Sequence, residues 1–366
     1  MSLTTGIVGL PNVGKSTLFN AITKKKILAA NYPFATIEPN VGVVVVPDER
    51  LDFLNDLYKP ASLVPTTFEF TDIAGLVKGA ANGEGLGNKF LSHIREVDAI
   101  VEVVRCFDDT NIIHVEDVVD PIRDVEIIEL ELILSDLEIV DNRLNKIGKK
   151  ATMSKDKEIQ KEATLLIKLK ESLEKNISIR KMDLTEDEEK IIKPYNLLTG
   201  KPIIYMANVS ESDLATGTNE YVEKLKEFAS KENSKVIVVC AKVEEELSEL
   251  EEEDKKEFLE ALGVAESGLD QLIKASYSLL GLETFFTSGT DEVRAWTFKK
   301  GMKAPACAGI IHTDFERGFI KAEIMSFDDL KEQGSEKQVK EAGKMRLEGK
   351  EYLMQDGDIC YFRFNV

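Results

Sequence analysis

The sequence predicts an α/β fold: a mostly parallel sheet carrying a phosphate-binding loop, interrupted by a helical hairpin and followed by a small mixed sheet. Three observations lead there. An apolar run, Ile7-Val8-Gly9-Leu10, enters the stretch Gly9-Leu10-Pro11-Asn12-Val13-Gly14-Lys15-Ser16-Thr17, which fits G-x-x-x-x-G-K-[ST], and Leu18-Phe19-Asn20-Ala21-Ile22 continues at helical spacing. From Asp124 to Leu173 the apolar residues recur at three- and four-residue steps. From about Glu283 onward, short alternating runs separated by turn residues replace both patterns.

A chain of 366 residues exceeds what one core usually supports, so two or three domains are expected. The net charge of -19 argues against broad adhesion to nucleic acid or anionic membrane, so any nucleic-acid partner must meet a local basic patch. Cys106, Cys240, Cys307 and Cys360 form no C-x-x-C pair, which points to neither a zinc site nor a disulfide framework and fits a reducing cytosol. No apolar run is long enough to cross a bilayer, and no basic segment with a long apolar region opens the chain, so a cytoplasmic protein without a membrane partner is expected. The acidic run from Glu244 to Glu257 reads as a solvated helix surface.

Taking the elements in order, Gly9 and Gly14 let the backbone bend around a polyphosphate. The N–H groups of Asn12, Val13, Gly14, Lys15, Ser16 and Thr17 then face it at a helix N-terminus. Lys15 reaches the terminal phosphates, and the Ser16 hydroxyl is placed to coordinate a Mg2+ ion that keeps most of its waters. The segment Asn31 to Asn40 has two prolines and no helical period, so it is a loop feeding the strand Val41 to Val46. Within it, Thr36 is positioned to close over Mg2+ and the γ-phosphate, or else to cap a turn. Val64 to Phe70 alternates as a strand and runs into Asp72-Ile73-Ala74-Gly75, a D-x-x-G arrangement in which Asp72 holds the Mg2+ shell and the Gly75 N–H senses the γ-phosphate. Leu76 follows, where many such hydrolases place a water-orienting glutamine. The glycine-rich stretch Lys78 to Gly87 suits a segment that orders on nucleotide binding. A helix over Asn88 to Glu96 and a strand over Ala99 to Val104 are expected next.

Ile127, Leu130, Leu134, Leu137 and Leu144, then Ile159, Ala163, Leu166, Leu169 and Leu173, define two helices that should pack antiparallel. Their tip holds Arg143, Lys146, Lys149, Lys150, Lys155 and Lys157 against Asp156, which makes it the clearest basic patch, or else a solvated loop. Thr185-Glu186-Asp187-Glu188 reads as a capping box. Sheet character returns at Pro202 to Ala207 and ends in Asn208-Val209-Ser210-Glu211, where guanine-binding proteins carry N-K-x-D. The missing lysine at Val209 and the longer acid at Glu211 alter base choice, because guanine is read by a carboxylate facing two N–H donors that adenine lacks. A strand over Val236 to Val239 leads to Cys240-Ala241-Lys242, in the place of an S-A-K loop whose backbone touches the base. In the last unit, strands over Val293 to Phe298, Gly318 to Ile324 and Ile359 to Phe364 join one helix, Ser335 to Glu348.

On Gly9 to Thr17, Tyr32 to Asn40, Asp72 to Ala80, Gly83 to Gly87, Asn208 to Glu211 and the ending Phe362 to Val366, the chain resembles the YchF family of Obg-like ATPases over essentially its whole length. The resemblance implies a Ras-like P-loop domain (1–128 and 194–282), an inserted helical hairpin or coiled coil (129–193), and a ubiquitin-like β-grasp module of the TGS kind (283–366). It further implies ATP preference and association with the ribosome, its rRNA and ribosomal proteins. The expected activity is slow hydrolysis of ATP to ADP by a monomer, with Lys15, Thr36 and Gly75 in catalytic roles. The missing glutamine has two candidate substitutes: His114, a loop residue that could swing toward the γ-phosphate, and a K+ ion held partly by Asn12. A conventional GTPase and a non-hydrolysing nucleotide-gated binding module are the alternatives.

Overall fold

The computed structural model describes residues 3–29, 40–74, 85–112, 118–153 and 156–365. They divide into two compact units, Met1–Val44 with Glu69–Leu272, and Val45–Phe68 with Ile273–Val366. In chain order the first stretch gives β1 (Thr4–Val8), α1 (Lys15–Ala29) and β2 (Val41–Val45), after which α2 (Glu49–Tyr58) and β3 (Ser62–Val64) belong to the second unit. The first unit resumes with β4 (Thr67–Asp72), α3 (Gly85–Glu96), β5 (Ala99–Arg105), α4 (Pro121–Met153), α5 (Lys157–Leu173), α6 (Glu186–Ile192) and β6 (Ile203–Asn208). Then come α7 (Glu211–Leu214), α8 (Glu220–Ser230), β7 (Lys235–Val239), α9 (Ala241–Leu247), α10 (Glu252–Ala261) and α11 (Gly268–Leu279), within which the second unit resumes at Ile273.

The sheet of the first unit runs β2-β4-β1-β5-β6-β7, and β4, β1, β5, β6 and β7 pair in parallel. A parallel sheet covered on both faces buries its strands throughout, and all seven residues of β5 are buried, the charged Glu102 and Arg105 among them. The register Ile7↔Asp72 sets the carboxylate of β4 beside the strand that feeds the loop.

The hairpin pairs α4 with α5 in antiparallel sense, as the ion pairs Arg143–Glu162 and Asp141–Lys170, both 2.7 Å, require. Ala163, Leu166, Leu169 and Leu173 bury the face that spacing gives for α5. In α4 the stripe is displaced: Leu130 and Leu134 are 44% and 42% exposed, whereas Ile128, Leu132, Ile133, Asp136 and Val140 are buried. Asp136 sets that register, since its carboxylate accepts from the Leu198 and Thr199 N–H groups at 2.8 Å and the Thr199 hydroxyl at 2.7 Å. The capping box forms at α6, with Thr185 and Glu188 bonding each other's backbone. The acidic run is not uniformly a solvated surface: Glu244 is 3% exposed and accepts from the Gly268 N–H at 2.7 Å, which satisfies the start of α11.

The second unit adds β8 (Leu282–Thr287), β9 (Glu292–Lys299), α12 (Ala304–Ile311), α13 (Thr313–Arg317), β10 (Phe319–Ser326), α14 (Phe327–Gln333), α15 (Glu336–Glu341), β11 (Arg346–Glu348) and β12 (Asp358–Phe364). Its mixed sheet runs β11-β10-β12-β8-β9-β3. One face packs Phe285, Phe298 and Cys360 on α12, and the other packs Phe286, Val293 and Ile359 on α2, α14 and α15 through Leu51, Leu54, Leu330 and Val339. Residues 45–68 thus leave the first sheet to cover and extend the second. The run expected as one strand from Val64 to Phe70 splits at Pro65, which cannot donate to a ladder, into β3 paired with β9 and β4 in the first sheet. Four short helices stand where one was expected, and the helix read as Ser335 to Glu348 ends at Glu341, ahead of a turn with Gly343 at φ +70° and β11.

Candidate nucleotide-binding site

The loop from Gly9 to Lys15 takes its shape from two close approaches. A Cβ on Gly9 would sit 2.9 Å from the Val103 carbonyl, and one on Gly14, already at φ +100°, would run into the Asn208 amide. Asn12 also adopts the left-handed region at φ +63°, which asparagine tolerates better than most residues. Val13 is 1% exposed and anchors the loop, so that α1 begins at Lys15 with its first N–H groups directed out of the helix end. Ser16 is exposed and Thr17 half-buried. The Lys15 ammonium donates to Asp72 Oδ1, so the cation expected to read phosphate and the expected Mg2+ ligand meet directly at the loop mouth.

The base-side residues come together around Asn208. Its side chain is buried, donating from Nδ2 to the Val13 carbonyl at 2.8 Å and accepting at Oδ1 from the Ala241 N–H at 3.0 Å. One amide therefore ties the phosphate loop to the Cys240-Ala241-Lys242 loop. Val209 is 2% exposed, and its N–H is spent on the Val239 carbonyl at 2.9 Å. Glu211 opens α7 with its side chain exposed, behind Ser210 as N-cap. Cys240 is the N-cap residue of α9, and burial pushes its thiol upward; the Lys242 side chain is 72% exposed, 3.9 Å from Glu246. Thr36, Gly75, Leu76 and His114 lie outside the described residues.

The surroundings of two buried charged residues of β5 escaped the sequence reading. Arg105, 1% exposed, donates to the carbonyls of Phe107, Asp109 and Ile112 at 3.0–3.1 Å and so fixes the loop that precedes His114 in sequence. Glu102 lies in the middle of β5, near Glu129, Arg180 and Glu232. Burial, reinforced by the Glu129 charge and opposed by Arg180, pushes its carboxyl well above the usual carboxylate range. A charged residue inside an apolar strand carries no periodic signal, so only its occurrence in such a run could have marked either one.

Comparison with known proteins decides the family. A ribosome-binding ATPase YchF from Bacillus subtilis (strain 168) is 62% identical over 367 residues, covering all of both chains. The chain belongs to the YchF family. A YchF from Haemophilus influenzae is 52% identical and Obg-like ATPase 1 of Rattus norvegicus 48% identical, the latter over 93% of its own length. The solved structure of the Schizosaccharomyces pombe YchF GTPase superposes with a TM-score of 0.90 at 45% identity, over 99% of this chain and 98% of that one. Two family models also match: one described as 50S ribosome-binding GTPase over residues 4–135, and YchF-GTPase_C, a protein of unknown function, over 282–365. The P-loop α/β fold read from the sequence is therefore that of the YchF family.

Proposed function

We propose that this chain binds ATP with Mg2+, hydrolyses it slowly to ADP and phosphate, and uses that cycle to control association with the ribosome. The observation that carries the reading is the Lys15–Asp72 contact at the mouth of the loop, which holds the phosphate-binding and metal-binding groups of two separate motifs together. The relatives named ribosome-binding ATPases supply the nucleotide and the partner.

The donors at the mouth suit Mg2+: a carboxylate from Asp72 at the end of β4 and an exposed hydroxyl from Ser16 in the first turn of α1 are hard oxygens. Mg2+, when bound there, supplies positive charge to the β- and γ-phosphate oxygens. The chain does the rest. Backbone N–H groups from Asn12 to Thr17 cradle the phosphates, and Lys15 turns from Asp72 to the bridging region as the triphosphate enters. Water attacks the γ-phosphorus in line, the bond to the β–γ bridging oxygen breaks, and ADP leaves with that oxygen. Thr36 and the Gly75 N–H are the groups expected at the γ-phosphate, and with Leu76 in the glutamine position His114 is the candidate to orient the water; Asn12 would hold part of a K+ ion, which would supply positive charge to the phosphates.

Base choice follows from the Asn208-to-Glu211 loop. Val209 is buried and offers no lysine stem to cover guanine, while Glu211 displaces the carboxylate that would read it. Adenine is expected against Asn208 and the backbone of Val209 and of Cys240-Ala241-Lys242. The domains are taken as 1–128 with 194–282 for nucleotide, 129–193 for the hairpin and 283–366 for a TGS-type module, with residues 45–68 and 273–282 grouping with that last module as one compact unit, in a cytoplasmic monomer. Calorimetric competition tests the base: ATP binding at least tenfold tighter than GTP is expected, and GTP tenfold tighter than ATP overturns it in favour of a GTPase, the word used for the S. pombe relative. Phosphate release with Mg2+ present separates a hydrolase from a gated binding module.

A further inference from the structure

The helix that follows the D-x-x-G segment is pinned to the hairpin at its far end. Arg95, in the last turn of α3, donates from Nη2 to the Ser135 hydroxyl of α4 at 2.6 Å and from Nη1 to the Asn196 carbonyl at 3.3 Å. The orphan carbonyls at that helix end are taken up from the same side. Asn196 Nδ2 donates to the Arg95 carbonyl at 2.8 Å, and the Lys201 ammonium donates to the Arg95 carbonyl at 3.1 Å, to the Val97 carbonyl and to Asn196 Oδ1 at 3.0 Å. Lys201 is 7% exposed, so its three acceptors replace water. Asp136, adjacent to Ser135, binds the Leu198 and Thr199 N–H groups of that returning segment. Three pieces of chain therefore meet in one joint: the end of α3, the middle of α4, and residues 196–201 leading from the hairpin into β6.

We propose that Arg95 and Lys201 are positioning residues through which the nucleotide state, sensed at the start of α3, sets the placement of the hairpin. The inference rests on the nucleotide-switch reading above and adds the element that carries the signal. A shift of α3 along its axis cannot leave the joint unchanged, because Ser135 and Asn196 are each one hydrogen bond away from the same guanidinium, and packed joints take discrete arrangements. A second anchor holds the hairpin root elsewhere, where Arg180 lies between Glu129 and Glu232 and Lys181 meets Glu232 at 3.0 Å, so a displaced α3 acts on one side of a root fixed on the other.

Two measurements test this, one with ribosomes and one without. Co-sedimentation in ATP-analogue and ADP states is expected to differ in wild type by a factor in the ordinary range of couplings, about 5- to 150-fold. Arg95→Ala and Ser135→Ala are each expected to bring that ratio close to one while ATP turnover without ribosomes is retained, and the double variant should be no worse than either. Arg95→Lys, which keeps one donor for Ser135, should restore part of the ratio. In the isolated protein, hydrogen exchange at the Leu198 and Thr199 amides is expected to respond to the ATP analogue in wild type and not in Arg95→Ala. If wild type fails to pellet in any state, the ribosome reading falls and the exchange experiment still decides the coupling. An exchange response absent from wild type, or equal in Arg95→Ala, overturns the proposal.

Discussion

Replacing Asn208 by alanine isolates the strut between the phosphate loop and the base loop. The side chain makes two hydrogen bonds, to the Val13 carbonyl and from the Ala241 N–H, in a site only 4% exposed. Each of the two lost bonds removes about 1 kcal/mol, and an Ala241 N–H left buried without a partner adds about 1–3 kcal/mol, so a total of roughly 3–5 kcal/mol is expected. It divides between folding stability and the loop geometry that holds phosphate, and both are measurable: urea unfolding of the free protein and calorimetric ATP affinity. Asn208→Asp sharpens the test. A carboxylate still accepts from Ala241 but cannot donate to Val13, and it sets its charge against that carbonyl, so this nearly isosteric change should cost at least as much as alanine in ATP affinity. If Asn208→Ala changes stability by less than about 0.5 kcal/mol, within the range of ordinary surface substitutions, and leaves ATP affinity at the wild-type value, the strut is refuted.

Lys15→Met and Asp72→Asn should each abolish measurable ATP turnover while leaving a folded protein, as judged by an unchanged cooperative unfolding transition, because both groups are partly exposed and can be re-solvated. The Glu102 carboxyl is raised by burial above its unfolded value near 4.5, so the folded protein holds that proton more tightly; the associated stability is complete below that value and is lost as pH rises through the folded one. Glu102→Gln keeps the neutral form, and urea unfolding from pH 5 to 8 should show the variant gaining on wild type as pH rises; a constant difference would contradict the raised carboxyl. Changing Lys146, Lys149, Lys150 and Lys157 to alanine should weaken ribosome co-sedimentation and flatten its salt dependence, each phosphate contact contributing a slope of roughly 0.7–0.9 in log–log form. Arg143 is left out of that set because its guanidinium is bound to Glu162 and lies over the Tyr195 ring.

The site was legible where backbone demands are strict. Gly9, Gly14, Lys15 and Asp72 are dictated by close approach, left-handed backbone and charge, and such demands leave residue types that can be read in one dimension. Asn208 stood out in the sequence as part of the expected base loop, but its strut is a long-range contact to Val13 that no local spacing encodes. The hairpin shows the same division. Its α5 stripe follows from apolar spacing alone, whereas α4 turns a different face inward because one buried acid, Asp136, must meet N–H groups more than sixty positions further on.

The second unit carries that argument furthest. A sheet with apolar residues on both faces needs two covers, and the C-terminal stretch from Leu282 supplies α12 and α13 for one face and only the short α14 and α15 toward the other. The missing cover comes from residues that precede the D-x-x-G motif: α2 places Leu51 and Leu54 against Phe286 and Val293, and β3 extends the sheet beside β9. Helix α2 is recognisable locally, with Asp48 as N-cap and Lys59 in the left-handed region at its end. What its sequence does not state is which core receives its apolar face, since leucine at helical spacing satisfies either sheet. The Arg50 guanidinium states it chemically: it pairs with Asp48 at 2.8 Å and with Asp356 at 2.7 Å and lies 5.2 Å over the Phe286 ring. That bond joins positions three hundred residues apart in sequence within one unit, and it makes the segment between β2 and β4 part of the C-terminal module's own core.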